Sequence, residues 1–187
     1  MIDDKTMFGY AQTALEDLAR ATGIEYSATP KVGAISLLSE DNKNVYAMKV
    51  TGLDADGNVE RGVTPFGDPP MTAREFANAA ALAEGAVYAL YRFRPNGRID
   101  AETQAIASRK EADAANESDP QQKARILLNA LVEEVGARPM RIVENQLGLV
   151  SIESPSPFGS SPMTIGQLAA ALSFALNAIY HHNRTRA

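Results

Sequence analysis

The chain has 187 residues, 45% of them hydrophobic, which is enough for one domain or two small ones with a real core. A net charge of −5 and a pI near 5.1 exclude a general nucleic-acid binder, which needs clustered Lys and Arg against phosphate. The absence of Cys excludes disulfides, thiolate zinc sites and cysteine nucleophiles.

The spacing of Met7, Ala11, Ala14, Leu15 and Leu18 predicts a first helix over Lys5–Thr22, closed by Gly23 and Ile24. Its start, Met1–Lys5, is acidic and lacks the apolar core of a signal peptide, so a cytoplasmic location is expected. Short β runs follow at Ile24–Tyr26 and Val32–Leu38, then Val45–Thr51 and Val59–Val63 around the Asp56-Gly57 turn. The stretch Thr64–Thr72, Thr-Pro-Phe-Gly-Asp-Pro-Pro-Met-Thr, breaks the strand and opens a helix. Thr72 and Glu75 form a capping box, and Phe76, Ala80, Ala83, Val87 and Leu90 line one face up to Phe93.

Residues 98–119 are polar, charged and Ala-rich, and read as a linker with helical potential and Asp100 as its N-cap. Asp119 and Pro120 then open a helix through Leu127, Leu128, Leu131, Val132 and Val135 to Gly136. Strands are expected at Met140–Val143 and Leu147–Glu153 around the turn 144–146. Ser156–Thr164, Ser-Pro-Phe-Gly-Ser-Ser-Pro-Met-Thr, repeats the earlier signature 92 positions on. Thr164 and Gln167 make a second capping box, and Leu168, Leu172, Ala175, Leu176 and Ile179 line the last helix. Met163–Tyr180 carries no charge and approaches membrane-span length. Thr164, Gln167, Ser173 and Asn177, with Arg74, Glu75 and Glu84 in the matching segment, make it a buried helix, and no membrane partner is expected.

The matches are collinear. Leu15, Leu18 and Gly23 align with Leu128, Leu131 and Gly136; Gly33, Ile35, Ser36 and Leu37 align with Gly148, Val150, Ser151 and Ile152. Tyr88 and Arg92 align with Tyr180 and Arg184. The expected fold is therefore α+β: internally duplicated α-β-β-α units, the first with an extra β-hairpin over Val45–Val63, and an antiparallel sheet covered by helices. The units are 1–97 and 120–187, joined by the linker 98–119 and sharing one core.

The two Pro-Phe-Gly-x-x-Pro-Met-Thr loops place helix N-termini at related positions. That arrangement suits an anion or small molecule held by Phe66, Gly67, Thr72, Phe158, Gly159 and Thr164. The competing reading is a strand-to-helix corner, with Phe66 and Phe158 plugging the core, Met71 and Met163 as staples and the threonines as caps. His181 and His182 have no third His for a metal site and read as helix-end or interface residues, His182 at the repeat position of Leu90. The segment 54–58 has its glycine too early for a calcium loop. Glu133 and Glu134 are adjacent on a helix, so they read as a solvated edge rather than paired acids.

The small, uncharged stripe Gly166, Gln167, Ala170, Ser173 and Asn177 reads as a partner interface. In layout and acidic charge, the helix–strands–helix order is similar to type III secretion chaperones, a likeness no residue motif carries. The expectation is a non-enzymatic protein-binding module, an adaptor, chaperone-like or bacterial or phage accessory structural protein, acting on itself or another protein as an oligomer and using no cofactor. The alternative is a small-molecule or anion binder, or an enzyme, at the paired loops.

Overall fold

The structure, a computed structural model, describes Thr13, the strand segments 25–27, 34–38, 45–49, 52–53 and 59–60, and residues 73–159 and 161–185. Of the first expected helix only Thr13 is among them, and it is helical. The loop 64–72, with Phe66, Gly67 and Thr72, and the turn 54–58 lie outside the described residues.

The strands β1 (Glu25–Ser27), β2 (Ala34–Leu38) and β3 (Val45–Lys49) form an antiparallel sheet in that order, and β4 (Gly52–Leu53) pairs with β5 (Val59–Glu60). Four helices follow: α1 (Ala73–Phe93), α2 (Ala101–Asn116), α3 (Pro120–Val135) and, after the hairpin of β6 (Ile142–Glu144) and β7 (Val150–Ile152), α4 (Ile165–Thr185). The class is α+β. The described core, however, is chiefly helix on helix, with α1 against α4, α2 against α3 and α3 against α4, rather than helices laid over one broad sheet. Alanine is the reason. Ala79, Ala80, Ala83 and Ala86 of α1 and Ala171, Ala175 and Ala178 of α4 are all buried, and side chains this small let helices approach closely. The expected apolar face of α4, Leu168, Leu172, Ala175, Leu176 and Ile179, is buried throughout, and so are Phe174 and Ala169, because α4 packs on α3 as well as α1.

The segment 98–119 is mostly helix. Asp100 caps α2 by accepting from the Thr103 amide at 2.8 Å, and α2 packs on α3 through Ala107 and Ala114. Asp119 accepts from the Gln121 amide at 3.0 Å with Pro120 in the first turn, as the sequence implied. Gly136 adopts φ 77°, and the amides of Gly136 and Ala137 close a Schellman motif on Glu133 and Val132. Arg94, just past α1, adds to this cap: its Nη2 donates to the Glu133 carbonyl at 2.7 Å and its Nε to that of Glu134.

The strands β6 and β7 pair antiparallel with Val143 opposite Ser151. Both are shorter than the expected runs. Asn145 Oδ1 takes the amides of Leu147 and Leu149 at 2.9 and 3.1 Å, so those residues serve the turn and not the ladder.

Replacing Arg94 with Ala removes the guanidinium bonds to the Glu133 and Glu134 carbonyls, the first of which keeps the Gly136 amide, and is expected to lower stability by about 1 kcal/mol in urea unfolding. An unchanged midpoint and slope would show that the Schellman amides suffice.

Candidate functional site

The described copy of the repeated loop runs from β7 to α4, and each of its residues has a local role. Ser156 Oγ accepts from the Phe158 amide at 3.2 Å, turning the chain inward. Phe158 is then buried at 2% exposure. Gly159 follows at φ 83°, a left-handed conformation that disfavours any side chain. Met163 returns to the far edge of β7, exchanging hydrogen bonds with Val150 at 2.8 and 3.0 Å. Thr164 and Gln167 form the reciprocal capping box: the Thr164 amide donates to Gln167 Oε1 at 2.8 Å, and the Gln167 amide to Thr164 Oγ1 at 3.3 Å.

The start of α1 meets the start of α4. Gln167 Nε2 donates to Glu75 Oε1, and these residues hold the same capping-box position 92 residues apart. The far ends also meet, where the Tyr91 ring packs edge-on to His182 with centroids 5.3 Å apart. The two contacts show that α1 and α4 run parallel. Between them the Phe158 loop lies on Gly85 of α1, so close that a Cβ there would stand 3.2 Å from three Phe158 backbone atoms.

Beside this crossing is a hollow of about 190 Å³, lined by Asn78, Leu82, Gly85, Ile152, Met163 and Leu168. Its character is mainly apolar. At the start of α4 the Thr164 and Gln167 amides are engaged in the capping box, and the Glu75 carboxylate sits beside Gln167. Phe158, Gly159 and Thr164 thus lie together as a core-plugging corner, while Phe66, Gly67 and Thr72 are outside the described residues.

On the stripe expected as a partner interface, Gly166 is exposed with open space where a Cβ would stand, and Gln167, Ala170, Ser173 and Asn177 are half-buried. The stripe continues to exposed Tyr180. Its counterpart on α1 is Asn78, Ala81, Gly85 and Tyr88, the strip that the Phe158 loop crosses.

One expectation is overturned. Glu134 is not a solvated edge: it is 2% exposed, whereas Glu133 beside it faces solvent and pairs with Lys110 at 3.2 Å. A helix turns by about 100° per residue, so neighbours point to different surroundings, and the packing around α3 decides which is covered. Burial first, and the Glu111 carboxylate second, push Glu134 up to about 8, against the pull of Arg94. Burial also raises Glu111. His182 is fully buried, like Leu90 at the matching position, a signal already present in the alignment of the two helices.

Among the described residues no group of three His, Cys, Asp or Glu could hold a metal ion, and no helix is long and apolar enough to cross a membrane. No protein-family model matches the chain, and neither a curated protein nor a solved structure does.

Thr164→Ala removes half of the capping box and is expected to cost about 1 kcal/mol by denaturant unfolding. Gly85→Val, which drives a branched side chain into the Phe158 backbone, is expected to cost about 2 kcal/mol. A neutral Gly85→Val would mean that the loop lifts away freely. The folded chain holds the Glu134 proton up to about pH 8, whereas the unfolded chain releases it near 4.5. The stabilisation is therefore complete below about pH 4.5 and is lost as pH rises through 8. Urea midpoints measured from pH 5 to 9 should fall, and Glu134→Gln should remove that part of the slope.

Proposed function

We propose that the chain is a non-enzymatic protein-binding module, an adaptor or chaperone-like accessory protein that works as an oligomer. The observation that carries this reading is the aromatic surface on the last two turns of α1, where Tyr88, Tyr91 and Phe93 are 61%, 40% and 42% exposed. Arg92 sits over the Phe93 ring at 5.6 Å. Aromatic residues and Arg are the types enriched at protein interfaces. Tyr180, at the position matching Tyr88, gives α4 an exposed tyrosine of its own at the end of its small-residue stripe. A cytoplasmic location belongs to the same reading.

The reading includes an internal duplication. Three observations support it. The helices α1 and α4 each have 21 residues and begin 92 positions apart. Matching positions share their burial, as in Ala79 and Ala171, Ala83 and Ala175, and Val87 and Ile179. The matching residues Glu75 and Gln167 touch each other, as residues near a pseudo-two-fold axis do.

The hollow beside Gly85 favours a second reading, a site for a small apolar molecule. It predicts a rise in melting temperature with an aromatic probe such as indole, abolished by Gly85→Leu.

Native mass spectrometry tests the leading reading. A dimer or larger assembly is expected, with Tyr88→Ser/Phe93→Ser or Ser173→Glu shifting it to monomer. An unsubstituted chain that stays monomeric at every concentration, or assemblies indifferent to all three changes, would sink the oligomer.

A further inference from the structure

The helix α2 is held by a narrow seam. Of its sixteen residues only Ala107 and Ala114 are buried, flanked by half-buried Thr103, Gln104, Ile106, Lys110 and Glu111. Against this seam α3 places Glu134, almost fully covered, with an Oε2 that has no hydrogen-bond partner. The groups around it leave a negative charge poorly answered. From α2 the like-charged Glu111 acts on it. From the α1–α2 connection Arg94 acts on it, but that guanidinium is already engaged with the carbonyls of Glu133 and Glu134 and lies 3.5 Å from Asp100. Lys110 is paired with Glu133.

We infer that Glu134 is a proton-held latch for α2: uncharged, it lets α2 seat on α3, and charged, it releases α2 while α1, α3 and α4 stay packed. Releasing α2 carries Glu111 away and brings water to Glu134. Release wets Ala107, Ala114, the half-buried Ile106 and the α3 surface they cover, a loss opposed by the cost of keeping an unpaired carboxylate buried. The raised proton affinity of Glu134 places the change near pH 8.

Amide hydrogen exchange of the full chain, read segment by segment from pH 6 to 9 and corrected for intrinsic exchange, tests the latch. Protection of α2 amides should fall by about tenfold or more while α1 and α4 keep theirs. Glu134→Gln, neutral at every pH, should hold α2 protected throughout. Glu111→Gln, which removes the like charge, should make the charged form easier to seat and leave α2 more protected at high pH than in the unsubstituted chain. Constant α2 protection in the unsubstituted chain overturns the latch, as does an equal loss in Glu134→Gln. Simultaneous loss from all four helices also overturns it, because that is global unfolding, and this comparison needs no variant to fold.

Discussion

The close parallel pairing of α1 with α4 is the constraint on which the described structure depends. Alanines at matching positions of both helices keep the seam thin. The Glu75–Gln167 hydrogen bond holds it at the start, and the Tyr91–His182 ring contact closes it at the end. Once the pair is set, α3 has a surface to pack on, the Phe158 loop has a glycine to cross, and α2 takes its place on α3. Seams lined by alanine bury little area per residue, so their stability comes from length and tight contact rather than from large side chains. Both helices run for about six turns, far more than an isolated cap could hold.

The corner before α4 shows how fully a loop can be used by its own fold. Ser156, Phe158, Gly159, Met163, Thr164 and Gln167 each turn, plug, bridge or cap. The Thr164 and Gln167 amides are taken by the capping box, and the Glu75 carboxylate stands beside Gln167.

Much of this was legible in the sequence, where the signal is local. Asp100, Asp119, Gly136 and the Thr164–Gln167 box end or begin helices through hydrogen bonds within a few residues, and all four behave as their chemistry implies. The buried face of α4 followed from helical spacing. What depends on a distant partner was not legible. Glu134 looks like any charged helix residue until the fold covers it, and Arg94 gives no hint that it reaches carbonyls 39 and 40 residues away. The stripe Gly166–Asn177 is an intermediate case. Its smallness was visible, but on α1 the equivalent smallness serves as the bed for a loop from the same chain. Whether a small face meets itself, a loop or another molecule is decided by tertiary geometry that composition does not carry.

The crossing of Phe158 over Gly85 also orders events during synthesis. The helix that contains Gly85 leaves the ribosome more than seventy residues before the loop that covers it. Through that interval α1 has neither its loop nor its partner α4, and its alanine seam faces solvent or whatever else is at hand. The packed α1–α4 seam therefore forms only once α4 has been made. A chain cut short anywhere before that helix would keep its local caps and turns while lacking the packing that makes them cooperative.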